Sequence, residues 1–162
     1  MNNEKVFLGL GSNLGDRRAV LEAALAELSL SLDGFRAASL YETEPLYVED
    51  QGLFLNTAAA GCYGGTPEEL LALIQGIEKK HGRDRSGERR WGERTLDIDI
   101  LLFGRRTVRN PPLLEIPHPR LRERAFALVP LLELNPGATE PLSGLAYGAV
   151  LKTLSGQGVR RV

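Results

Sequence analysis

Apolar and polar positions along this chain fall into blocks that switch between a period of about two and a period near 3.6. Residues 6–11 are an apolar run ending in glycines, the pattern of a buried first strand. The turn Gly11-Ser12-Asn13-Leu14-Gly15-Asp16 leads into a helix predicted over 16–30, where Val20, Leu21, Ala24, Leu25 and Leu28 make one apolar stripe. Residues 35–42 alternate well enough for a second strand, and 54–63 make a third after a long connection. Thr66-Pro67-Glu68-Glu69 opens a second helix with a capping box and a proline at the first helical position, and Gly82 should end it. A fourth strand is predicted over 95–103.

That order, β-α-β-β-α-β, predicts an α+β fold with a ferredoxin-like core: an antiparallel sheet covered by helices on one face. Pro111, Pro112, Pro117 and Pro119 punctuate the remainder. It should hold loops, a short strand over 107–109 and short helices around Leu121 and over 126–134. With no internal repeat, low-complexity stretch or linker, residues 1–162 are expected to form a single domain.

Composition narrows the function classes. A chain of 162 residues can bury a sizeable core without a metal or a disulfide to hold it. A net charge of -1 argues against a general nucleic-acid binder or a partner of anionic membranes. Cys62, the one cysteine, excludes an intramolecular disulfide and a cysteine-rich zinc site, suits a reducing compartment, and reads as a small core residue on a strand. The first residues lack the basic and apolar regions of a signal peptide, and no apolar run approaches membrane-spanning length. A cytoplasmic location and no membrane partner are expected.

Candidate chemistry concentrates in Arg94-Thr95-Leu96-Asp97-Ile98-Asp99. On a strand, Leu96, Ile98, Ile100 and Leu102 would share one face, while Asp97 and Asp99 share the other with backbones about 7 Å apart. Two such acids repel unless a cation lies between them, and Mg²⁺ suits oxygen donors. A solvated polar face is the plainer reading of the pair. Against it stands the segment just upstream, where Arg83, Arg85, Arg89, Arg90 and Arg94 crowd around Trp91 and Gly92. Acids beside dense arginines suit phosphoryl transfer, which works by positioning and charge neutralisation. The two long connections, 43–53 and 83–94, are expected to be mobile flaps over one site.

Gly9-Leu10-Gly11-Ser12-Asn13-Leu14-Gly15 follows a strand and precedes a helix, but its spacing is one residue too long for a dinucleotide fingerprint. It also lacks the Gly-Lys-Ser/Thr ending of a P-loop. Taken with Thr43-Glu44-Pro45-Leu46, Phe54-Leu55-Asn56, the I-E-x-x-x-G-R segment over 77–83, the stretch 90–104 from Arg-Trp-Gly-Glu-Arg to Leu-Leu-Phe-Gly, Ile116-Pro117-His118 and Arg124-Ala125-Phe126, the chain resembles the 6-hydroxymethyl-7,8-dihydropterin pyrophosphokinases over residues 6 to about 136. These folate-pathway enzymes move pyrophosphate from ATP to a pterin alcohol and release AMP.

The resemblance implies that Asp97 and Asp99 hold two Mg²⁺ ions, and that Arg83 and Arg94 act as catalytic groups on the triphosphate. Trp91 matches a lid residue touching both ligands. For ATP it implies Gln75, Glu78, Arg83, Arg85, Trp91, Arg94, Ile100, His118 and Arg124. For the pterin it implies stacking between Phe54 and Phe126, edge recognition by Asn56, and contacts from Thr43, Pro45, Leu46 and Asp97. The substrates would be ATP and 6-hydroxymethyl-7,8-dihydropterin, and a monomer is expected.

Two other classes compete. A D-x-D metal-dependent nucleotidyl transferase or phosphodiesterase would use the same acids on another substrate. A ferredoxin-like RNA-binding module would carry aromatics on its central strands, whereas Asp97 and Asp99 would repel phosphate without a metal.

Overall fold

A computed structural model describes residues 3–47, 52–82 and 95–162. In chain order the elements are β1 (Glu4–Ser12), α1 (Arg17–Ser29), β2 (Asp33–Ala37), β3 (Tyr41–Thr43), β4 (Phe54–Tyr63), α2 (Pro67–Lys80), β5 (Asp97–Phe103), β6 (Val108–Asn110) and β7 (Leu114–Ile116). A 3₁₀ turn (Leu121–Glu123), α3 (Ala125–Leu134), α4 (Tyr147–Lys152) and β8 (Val159–Arg161) complete the fold.

Local chemistry sets the helix ends. The Asp16 carboxylate accepts the Ala19 N–H at 3.1 Å and starts α1. Thr66 caps α2 by accepting the Glu69 N–H at 3.1 Å, with Pro67 at the first position. Gly82, at φ +82°, takes the left-handed conformation just past the end of α2.

The main sheet is antiparallel throughout, in the order β5-β1-β4-β3-β8, with β2 also paired to β4. This is the α+β, ferredoxin-like arrangement. Leu21, Ala24 and Leu28 of α1 and Leu70, Ile74 and Ile77 of α2 pack on Leu8, Leu10, Ile98 and Ile100.

Four details differ from the sequence reading. The single strand expected over 35–42 is split into β2 and β3, because the Ser39 N–H turns away to the Glu133 carboxylate of α3 at 3.0 and 3.1 Å. Helices cover both faces of the sheet rather than one. Leu128 and Leu131 of α3 and Tyr147 of α4 bury Phe7, Ala58, Ala60, Leu101 and Leu102 on the second face. Leu102 leaves the face of Ile98 and Ile100 because Leu101 is a bulge: Leu8 pairs with Ile100 but Phe7 with Leu102. The tail also contributes β7, α4 and β8, the last joined to β3 and extending the sheet.

Candidate active site

Helix α3 covers only part of the second sheet face. Before its first turn the described residues leave a cavity of about 230 Å³ on that face. Its floor is a rung of paired residues: Asp97 of β5 lies opposite Gly11 of β1, which lies opposite Asn56 of β4. In the next rung of the same face Asp99 stands opposite Gly9. Directly paired residues point to one side, so the acids and Asn56 share the cavity while the two glycines add no side chain between them. A Cβ built on Gly11 would stand 2.7 Å from the Asn56 Oδ1. Any side chain there would have to push the Asn56 amide aside.

Asn56 is 4% exposed and donates its amide to the Thr43 Oγ1 at 2.7 Å. That bond orients the amide, and with it the pattern of donor and acceptor turned to the cavity. Phe54 and Phe126 both line the space, from β4 and from the first turn of α3, with Leu46 beside them. An apolar, aromatic pocket with one oriented amide suits a flat, polar-edged heterocycle.

The opposite wall carries charge. The bulge at Leu101 leaves its carbonyl to accept the His118 N–H at 3.3 Å, which sets the imidazole beside β5. His118 Nε2 lies 3.7 Å from Asp99 Oδ1, and an Arg124 guanidinium nitrogen lies 3.7 Å from Asp99 Oδ2. Burial, and after it the Arg124 charge, draws the His118 imidazole down to about 4, so the ring is neutral at pH 7 and its contact with Asp99 is no ion pair. Nδ1 accepts the Arg120 N–H at 3.2 Å, which places the ring proton on Nε2, the nitrogen facing Asp99.

Of the residues singled out in the sequence, Thr43, Leu46, Phe54, Asn56, Asp97, Asp99, His118, Arg124 and Phe126 line this one cavity. Pro45 does not line it but sits in the same half-buried connection. Gln75 is on the exposed face of α2. Ile100 has its side chain in the core beneath the helices and does not line the cavity. Glu78 is 2% exposed and its Oε2 accepts the Ile98 N–H at 3.0 Å, gripping β5 between the two acids. Arg83, Arg85, Arg89, Arg90, Trp91 and Arg94, with the whole of the second expected flap and residues 48–51 of the first, lie outside the described residues. Gly9, Gly11, Glu44, Tyr47 and Leu121 also line the cavity and were not assigned to it from sequence. For the glycines the signal was there, two of them alternating on a strand.

Fold and site together define an α+β protein of ferredoxin-like topology that carries an acid pair and an aromatic pocket at one end of a sheet face. Residues 7–136 match the family described as 7,8-dihydro-6-hydroxymethylpterin-pyrophosphokinase (HPPK), and the chain belongs to that family. It is 45% identical over 134 residues to the 2-amino-4-hydroxy-6-hydroxymethyldihydropteridine pyrophosphokinase of Bacillus subtilis, covering 82% of this chain and 78% of that protein. It is 41% identical over 137 residues to the Aquifex aeolicus protein of the same name, covering 85% of this chain and 84% of the relative. Among solved structures it resembles the wild-type HPPK-DHPS of Plasmodium falciparum with a TM-score of 0.70 at 16% identity, over 94% of this chain and 45% of that longer one. That likeness concerns the fold alone.

Proposed function

We propose that the protein transfers pyrophosphate from ATP to the hydroxymethyl group of 6-hydroxymethyl-7,8-dihydropterin, releasing AMP, as a step of folate biosynthesis. The observation that carries this reading is the meeting of two unlike half-sites in one cavity: an oriented amide with two aromatic rings, and paired carboxylates with a buried arginine. A chain of the pyrophosphokinase family needs both, one for the pterin and one for the triphosphate.

The donor set fits Mg²⁺. Asp97 and Asp99 offer oxygen from one face, and among the described residues no third His, Cys, Asp or Glu joins them to build a closed cage. Mg²⁺ commonly binds through one or two carboxylates and fills its remaining positions with water and substrate phosphates. When bound, two such ions would neutralise phosphate charge and make the pterin hydroxyl more acidic. The chain's own residues do the rest. Phe54 and Phe126 stack the heterocycle, Asn56 reads its edge, and Arg124 meets phosphate oxygens close to the acids. Arg83 and Arg94 are assigned to the charge that builds on the leaving group.

In the transfer, the hydroxymethyl oxygen forms a bond to the β-phosphorus of ATP. The bond from that phosphorus to the oxygen bridging it to the α-phosphorus breaks. The bridging oxygen departs with AMP, and the hydroxyl proton is released to solvent. The test is AMP formation from ATP with Mg²⁺, with and without the pterin alcohol. Release that depends on the pterin supports the reading; equal release without it points instead to a phosphodiesterase that hydrolyses ATP, and release of pyrophosphate without free AMP points to a nucleotidyl transferase.

A further inference from the structure

Tyr47 lies in the connection after β3, yet its ring is built into the opposite wall of the cavity. The guanidinium centres of Arg120 and Arg124 each stand 5.6 Å from its ring centroid. Arg124 in turn stands 5.4 Å from the ring of Phe126. Cation and ring therefore alternate through Arg120, Tyr47, Arg124 and Phe126. Glu123 ties the outer end, accepting the Tyr47 hydroxyl at 2.8 Å and Arg120 at 2.6 Å. Arg124 Nε makes a longer, 3.5 Å contact with the same hydroxyl.

From this arrangement, and resting on the pyrophosphokinase reading, we propose that Tyr47 is a positioning residue that holds Arg124 in its catalytic orientation against Asp99. Stacking engages a guanidinium by its face, whereas its N–H donors lie in the plane of the group. The Tyr47 and Phe126 rings, with the Tyr47 hydroxyl near Nε, therefore restrain where the remaining donors point, as a phosphate-binding arginine needs. The restraint is substantial because Arg124 is 6% exposed and a long side chain loses rotamer freedom when ordered. Tyr47, at 36% exposure, contributes little to the core. Its cost of ordering makes sense if it is there for Arg124.

The experiment is a double-substitution cycle on the full chain. Affinity for a non-hydrolysable ATP analogue with Mg²⁺ is measured by calorimetry, alongside KM and kcat for AMP release. Tyr47→Leu in the native background is expected to weaken analogue binding roughly 3- to 30-fold, the range for a partly desolvated cation and ring. The melting temperature should hardly move, and Tyr47→Phe, which keeps the ring, should lose less. In an Arg124→Ala background the same Tyr47→Leu change should have under about a twofold effect, because the group it positions is gone. Equal losses in both backgrounds, or no loss in the native one, would overturn the inference. Absence of pterin-dependent AMP release from the native protein would instead sink the functional reading, and the calorimetric cycle would still decide the role of Tyr47.

Discussion

Gln157 grips the main chain on both sides of Arg124. Its Nε2 donates to the Glu123 carbonyl at 2.8 Å and its Oε1 accepts the Ala125 N–H at 2.9 Å. A side chain from the segment before β8 thus fixes the start of α3, where Arg124 and Phe126 enter the cavity.

Gln157→Ala should therefore damage the site from outside it. Ala125 is 1% exposed, and leaving its N–H without a partner costs about 1–3 kcal/mol. Chemical denaturation should show a loss of that size, with weaker binding of both substrates. Unchanged stability and binding would mean that the grip is incidental.

Asp97→Ala is expected to lower turnover by about a hundredfold or more, the scale for losing a preorganised electrostatic group at the reacting centre. Folding should survive, since Asp97 is only half-buried and its loss relieves repulsion from Asp99. Single-turnover rates, with melting curves as control, check both halves.

Gly11→Ala should separate the two substrates. The added methyl would meet the Asn56 Oδ1 at 2.7 Å, so the amide that Thr43 orients must shift. Overpacking of this kind costs about 1–3 kcal/mol, which should appear as weaker pterin binding with ATP-analogue binding little changed. Titrating each ligand separately reads the difference.

Glu42 supplies a pH-dependent anchor. It receives Arg17, at 3.1 Å, and Arg160, and Arg17 also donates to the Leu53 carbonyl at 2.9 Å, next to Phe54. The hydrogen bond from Arg17, followed by that from Arg160, holds the Glu42 carboxyl below 4.5. The group binds a proton more readily in the unfolded chain, so its stabilisation is present above 4.5 and is lost as pH falls through the depressed folded value. The difference in melting temperature between the native protein and Glu42→Gln should be largest near neutrality and shrink in acid. A difference independent of pH would count against the ion contacts.

Much of this architecture is legible in the chain. The apolar stripe of α1, the capping box of α2 and the alternation around Asp97 and Asp99 each have a local cause, and each appears where local chemistry puts it. What escapes is decided at a distance. The break between β2 and β3 depends on Glu133, 94 residues from Ser39. The apolar run Ile100-Leu101-Leu102-Phe103 holds the bulge that exchanges its faces, yet a continuous run has no phase to read. Helix α3 is apolar nearly all round, so no stripe announces the sheet face on which it lies. Strand β4 did carry the clue, since it is apolar on both sides and reads as a strand buried on both. Among site residues the acids and rings stand out by their chemistry. Gly9 and Gly11 matter through what they lack, and Tyr47 through neighbours more than seventy positions away.

Because α3 and the cavity divide one sheet face between them, the point at which the helix begins acts as a ruler for the ligand. Phe126 and Ala127 of its first turn line the cavity, while Leu128 and Leu131 behind them are part of the core on that face. Losing that first turn would remove both residues from the cavity wall. The start of α3 is thus also an edge of the binding space, and redesign for a larger or smaller heterocycle would begin there.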